Sequence, residues 1–384
     1  MKEIIDYIIT WLCYGDEEAA KRVAYTADER ALEDHDVIIV PNGHFGSDIV
    51  VPELKKPVVD MPAKGKSIIR TDIVYATFFF TSRAEELINE QRDEHGRFAA
   101  KFSILAQKSR LQIPRLDEYA RLLLKQLDMP LPESGFGHVY LTHDIDSISK
   151  YRSVRGVIGG LKRGEKKQVW AALRNIHNDP YYTFPWLLEQ DRTVPQAEAI
   201  YFVKRTPGKG YDYPQYPLWG RDYKQLKHML RHNDVYLGVH GSYYGAIPSI
   251  QYSRMFRAHY LRSSIDHMQG LVDAGYTDDF TMGFADLPGF RLQTCRAVRW
   301  INPKTMQLTS LTLHPLLVMD NTLSQANYMG LTEDEAYFVC ERLFEKVKLH
   351  HGDLCLLWHN SNITSDTYHR SLYPKILQMI HGDF

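Results

Sequence analysis

The chain has 384 residues, enough for two or three domains at roughly 150 residues each. Its 46 lysines and arginines balance 47 aspartates and glutamates, and hydrophobic residues make up 44 %. That balance excludes a strongly basic nucleic-acid binder and an acidic tail protein, and it leaves an ordinary globular composition.

At the N-terminus, Glu3 and Asp6 interrupt the apolar positions of Met1–Ile9, so no secretory signal is expected. No apolar run anywhere approaches the ~20 residues of a membrane span. Cys13, Cys295, Cys340 and Cys355 lie far apart and form no C-x-x-C pair. This points away from cysteine-held zinc and toward reduced thiols in a cytoplasmic protein.

Asp36–Gly43 reads as a buried strand ending in a turn. An apolar run, Ile73–Phe80, leads into Ser82, which with Glu85 makes a capping-box pattern for a following helix. Leu116–Leu127 has helical spacing. A breaker-rich stretch, Pro132–Gly137, then sets a domain boundary near residue 135. Beyond it, short apolar strands are expected at 139–142, 199–203, 235–239 and 354–358, with helical patterns such as 222–232 and 332–349 between them. Strand and helix in alternation predict a parallel α/β architecture, barrel or open sheet, with its chemistry at the C-terminal strand ends.

Polar residues stand at those ends. The first strand runs into His143-Asp144-Ile145-Asp146, whose carboxylates suit a metal or a base beside a metal ligand. Another ends in Gly238-Val239-His240-Gly241-Ser242, and the last in Trp358-His359-Asn360. Together they read as metal-assisted hydrolysis with a carboxylate base and an imidazole acid. Lys162-Arg163-Gly164-Glu165-Lys166-Lys167 reads as a solvated basic face, with recognition of phosphate on a nucleotide- or membrane-linked glycan as the alternative.

The order and surroundings of these segments resemble the polysaccharide deacetylase superfamily, also called carbohydrate esterase family four. More narrowly, they resemble a Bacteroidetes-type branch with an added N-terminal domain. Residues from about 136 onward resemble the deacetylase domain, while Ala76–Glu86 and Asp93–Phe98 resemble segments of the added one. The resemblance implies a distorted parallel (β/α) barrel of the polysaccharide deacetylase type at 136–384 and a smaller N-terminal α/β accessory domain at 1–135. It implies a metal-dependent hydrolase that removes acetyl groups from an amino sugar or polysaccharide precursor. The cofactor would be a divalent metal, zinc first, with cobalt or nickel as alternatives; the partner would be carbohydrate.

By the same resemblance, Asp144 is the base, Asp146 and His240 bind the metal, and Arg257 orients the base, with Arg262 as the other candidate. His359 is the general acid, with Asp320 behind it. Where the family has the second histidine of H-x-x-x-H, this chain has Tyr244. His259, two residues past Arg257, is the candidate replacement ligand; substrate contact or packing are its alternatives. Tyr244, Trp358, Asn360, Asp286 and Arg291 are expected on the substrate side. Trp358 and Asn360 would shape the acyl pocket. Asp286 and Arg291 would pair at the cleft rim, unless that loop is purely structural. Tyr244 also favours a second reading, an inactive carbohydrate-binding or assembly protein on the same fold. A hydrolase of non-sugar amides is the third.

Overall fold

A computed structural model describes residues 1–107, 110–205, 210–213, 216–250, 252–365 and 367–382. The first part of the chain builds a four-stranded sheet from β1 (Val23–Tyr25), β2 (Val37–Ile39), β3 (Val59–Ala63) and β4 (Lys66–Ile69), in the order β1-β2-β4-β3. Only the β3–β4 pair is antiparallel. Helices Lys2–Leu12, Ile73–Thr81 and Arg115–Gln126 share one apolar core with this sheet. Every residue of Ile73–Thr81 is buried. A helix apolar all round must sit inside a core. Ser82 therefore closes this helix at its C-terminus, and the short helix Glu85–Ile88 has no side-chain cap, contrary to the capping-box reading.

The remainder forms a nine-stranded sheet. Its strands are β5 (Val139–Ile145), β6 (Glu198–Lys204), β7 (Tyr236–His240), β8 (Met255–Arg257), β9 (Asp278–Met282), β10 (Val298–Asn302), β11 (Gln307–Pro315), β12 (Val318–Met319) and β13 (Leu354–Leu357). Strands β5 to β9 follow one another in parallel, and β13 pairs with β5. All of β5 is buried, as befits a parallel strand covered on both faces. The sheet curls. β11 pairs with β9 in parallel, the Leu317 N–H bonds the Cys355 carbonyl, and β12 then pairs with β13. The segment 307–319 thus bridges the two edges of the parallel strip, while β10 hangs outside as an antiparallel partner of β11. Helix Glu333–Leu349 starts with the Thr332–Glu335 capping box and packs with helix His369–His381 over β13 and β5.

The two sheets are joined by buried polar contacts. Asp117 accepts hydrogen bonds from Thr294 Oγ1, the Cys295 N–H and Arg296 Nε. The Arg296 guanidinium lies over the rings of Trp11 and Tyr14, 3.8 and 3.9 Å from their centroids.

Candidate functional site

Alternation along the central strands decides which side chains reach the interior of the curled sheet. On β5, Tyr140, Thr142 and Asp144 face inward; Leu141 and Ile145 join outer clusters. On β6, Ile200, Phe202 and Lys204 share the inward face. Rings fill the interior from below, with Tyr140 against Phe280 (5.3 Å) and Phe280 against Phe202 (5.6 Å). Gly238 on β7 leaves the room Phe202 occupies, since a Cβ there would stand 2.4 Å from that ring. The guanidinium of Arg257, fully buried, covers the Phe202 ring at 4.7 Å.

Above this apolar plug lies a layer of charge. Arg257 Nη1 donates to Thr142 Oγ1 (2.7 Å) and reaches Asp144 Oδ1 (3.5 Å), while Nε donates to the Phe280 carbonyl. A fixed guanidinium thus orients the buried Asp144 carboxylate. Arg262, the alternative orienting residue, instead donates to the carbonyls of His95 and Tyr243.

Asp146, His240 and His259 converge one step higher, with one potential ligand atom from each lying within 4.8 Å of the others. His240 Nε2 stands 3.3 Å and His259 Nε2 3.1 Å from Asp146 Oδ1. Yet Asp146 Oδ1 and His240 Nε2 are buried and make no aligned hydrogen bond among the described residues. Buried polar atoms without partners are expensive, and where several converge they call for a ligand. The far side of each ring is satisfied. His240 Nδ1 bonds the Arg257 carbonyl (3.1 Å), and His259 Nδ1 bonds Asp212 Oδ1 (2.9 Å). Because carbonyl and carboxylate oxygens only accept, each Nδ1 carries the proton and each Nε2 presents its lone pair to the shared space when the ring is neutral. A carboxylate behind a ligand histidine is a common support at metal centres. Ser242 Oγ and the Tyr243 N–H also bond Asp212. Burial alone would raise the Asp212 carboxyl, but His259, Ser242 and the Tyr243 N–H hold it down at about 2. Burial likewise opposes charge on Asp146, and His259 and Lys204 overcome it, keeping its carboxyl well below the usual range. The donor set, two imidazoles and a carboxylate with an open side, suits zinc.

His359 follows β13. Its backbone N–H and Nδ1 both bond the buried Asp320 carboxylate (2.7 and 2.8 Å), and its Nε2 stands 3.8 Å from Asp146 Oδ2. Burial disfavours the imidazolium, but Asp320 first, then Asp146 and Asp144, outweigh it and lift His359 to about 9. A histidine raised in this way is suited to donating a proton.

Asp144, Asp146, His259 and His359 open into a cavity of about 420 Å³, a size suited to a small ligand. His95 and Arg97, from the first third of the chain, form part of its wall. Arg97 donates to Asp93 Oδ2, the Tyr260 carbonyl and the Tyr328 hydroxyl. Tyr260 and Leu261, next after His259, have φ of 60° and 54°. Left-handed backbone at such residues needs support from its surroundings, and Arg97 supplies some. The His95 ring packs on Tyr260 (4.9 Å) and Tyr211 (5.4 Å), extending an aromatic wall.

Several expected substrate contacts lie elsewhere. Tyr244 is 47 % exposed and outside the cavity wall, so the histidine beside Asp146 and His240 comes from after β8, not from the turn after β7. Trp358 is fully buried against Tyr373 and His369, because its side chain faces the outer helices rather than the interior. Asn360 is also buried, and its Nδ2 holds the carbonyls of Ser147 and Tyr181. Asp286 and Arg291 do not pair. Asp286 accepts from the N–H groups of Ala100 and Lys101, and Arg291 donates to Glu86 Oε1 and the Gly283 carbonyl. The loop 283–291 therefore ties the two sheets together instead of edging the cleft. Lys204, Asp212, His95 and Arg97 went unassigned from sequence. Asp212 lies in a short irregular turn with no periodicity to flag it, whereas Lys204 ends a strand as the other polar candidates do.

Residues 2–132 match the model of a family of unknown function, DUF7033. No curated protein matches the chain. Among solved structures, it is similar to a protein from Mycobacterium smegmatis provisionally described as a polysaccharide deacetylase. The identity is 12 % and the TM-score 0.42, over 66 % of this chain and 88 % of that one. It is also similar to a protein from Bordetella bronchiseptica, provisionally described as a polysaccharide deacetylase involved in O-antigen biosynthesis. That identity is 13 % and the TM-score 0.30, over 65 % and 84 % of the two chains. Likeness at this level assigns no activity. No described helix is long and apolar enough to cross a membrane.

Proposed function

We propose that the chain is a metal-dependent hydrolase that removes acetyl groups from an amino sugar or polysaccharide precursor. In this reading residues 136–384 carry the chemistry and residues 1–135 form an accessory unit. The observation that carries it is the convergence of Asp146, His240 and His259, with Asp146 Oδ1 and His240 Nε2 making no aligned hydrogen bond among the described residues, between a carboxylate and a proton-donating histidine. The sequence resemblance to polysaccharide deacetylases supports the same chemistry.

Asp146, His240 and His259 would hold the cation. When bound, a divalent cation supplies positive charge that polarises an acyl carbonyl and acidifies water. The chain's own groups do the rest. Asp144, oriented by Arg257, accepts the proton of the attacking water. His359, kept protonated by Asp320, donates to the leaving sugar nitrogen or oxygen as the C–N or C–O bond breaks. The aromatic wall of His95, Tyr211 and Tyr260 offers faces to a sugar ring.

One observation favours the second reading, a carbohydrate-binding protein without turnover. Lys204 Nζ stands 3.4 Å from Asp146 Oδ1, so an ammonium already neutralises that carboxylate. Acetate release from acetylated amino sugars, with and without added zinc, cobalt or nickel, separates the two. The hydrolase reading expects metal-stimulated release that His359→Ala abolishes. Sugar binding with no release under any metal supports the binding protein.

A further inference from the structure

The basic cluster at 162–167 sits on a helical hairpin, and its surroundings give it a use. Helices Val154–Lys162 and Lys166–Arg174 pack on each other through Val157, Gly160, Val169 and Ala172, with Tyr151 beneath. This small core lies apart from the main clusters. Gly160 makes the close approach possible, since a Cβ there would meet Val169 at 2.5 Å.

With the inner faces so used, the outer faces carry large apolar side chains in the open. Val154 is 80 %, Ile158 49 % and Trp170 60 % exposed, and Leu161 and Leu173 are exposed beside them. Val154, Ile158 and Leu161 follow the i, i+4, i+7 spacing of a single helix face. Arg155, Lys162 and Arg163 line one groove with Val154 and Ile158, and the second helix brings Lys166, Lys167 and Arg174. The one acid among them, Glu165, is engaged by Lys150 and Arg163. Among the described residues, no carboxylate pairs with Lys162, Lys166, Lys167 or Arg174. Apolar side chains ringed by unneutralised lysine and arginine match the interface of an anionic bilayer, where the chains enter the headgroup boundary and the cations meet phosphates. A protein partner would have to bring a complementary acidic rim; a bilayer of anionic lipid offers one everywhere.

The groove along the first helix, about 1150 Å³, shares Tyr181 and Tyr213 with the cleft described above. The docked face and the cleft are therefore neighbours.

We infer that the hairpin 154–174 docks the protein on an anionic lipid surface. The inference stands on the surface alone, and its readout needs no turnover. Full-length protein is mixed with vesicles of phosphatidylcholine or of phosphatidylglycerol and the bound fraction is measured by flotation. Binding is expected to phosphatidylglycerol and not to phosphatidylcholine, and to weaken as salt rises. The double reversal Lys162→Glu and Lys166→Glu should lower partitioning at least about tenfold. Trp170→Ser with Ile158→Ser should lower it independently of charge. Circular dichroism confirms that each variant folds. Equal binding to both vesicles, no binding to either, or binding unchanged by both pairs of substitutions overturns the inference. So does a concentration-dependent dimer that Trp170→Ser dissolves while vesicles remain unbound, for then the patch serves a second copy of the chain.

Discussion

Two of the buried charged clusters in the molecule are built differently. Between the sheets, Glu86 bonds Arg83 through both oxygens (2.8 Å each) and Arg291 (2.8 Å), and Arg83 also reaches the Ser263 carbonyl. Burial works against charge on Glu86, and the two guanidiniums overcome it and hold its carboxyl low. At the strand ends, His240 and His259 are buried and Asp146 is partly exposed, and Asp146 Oδ1 and His240 Nε2 make no aligned hydrogen bond among the described residues. A network closed on itself stabilises an arrangement; one left open toward a shared space is built to receive something. Burial and charge alone do not separate structure from function here; the convergence of open polar atoms on one shared space does.

The comparison can be broken most sharply at the acid and the base. His359→Gln or Asp144→Asn should lower acetate release by about 10²–10⁴-fold in protein that still folds, each variant keeping a polar group beside Asp320 or Arg257. A loss confined to stability, with release per folded molecule unchanged, would place them with the closed network. Glu86→Ala should do the reverse. Leaving Arg83 and Arg291 buried without their partner should cost about 3–5 kcal/mol in denaturant unfolding. Metal binding by the folded fraction should persist.

A smaller effect is expected one layer behind the open cluster. Asp212→Ala frees the His259 ring and should weaken zinc binding by about 10–100-fold. In the cation-free site, burial opposes a proton on His259, but Asp146 and Asp212 favour it and raise its pKa. Metal binding must displace that proton, so affinity should rise with pH and proton release should accompany titration. Smallest in size is a shift of the alkaline limb. In the cation-free site Asp320, then Asp146 and Asp144, raise His359 to about 9. A cation on Asp146 removes part of that support, so a metal-loaded reaction needing the acid should fall at or below about 9, and Asp320→Asn should move that fall to still lower pH in the kcat/KM profile.

How far the sequence disclosed these regions follows from what each depends on. β5 through Asp146, β7 through His240 and the strand before His359 were legible because buried parallel strands are short apolar runs, and the chain marks their ends with polar residues. The expected helix at 332–349 matched Glu333–Leu349 for a local reason, its capping box. Trp358 and Asn360 were misplaced because neighbours on a strand end need not face the same side; His359 looks into the cavity while Trp358 looks out. Asp286 and Arg291 were paired by proximity in sequence, whereas Arg291 found Glu86, 205 residues away. No local pattern encodes such a partner. The same holds for Arg97, whose contacts with Tyr260 and Tyr328 depend on how the first third of the chain packs on the curled sheet.

In this site His259 would complete the cation ligands in place of the position held by Tyr244. Zinc titration by calorimetry into full-length, chelator-treated protein decides between the two positions. Stoichiometric binding that His259→Ala removes and Tyr244→Ala leaves intact is the predicted result. No binding to the parent protein, or binding that survives His259→Ala unchanged, would contradict it.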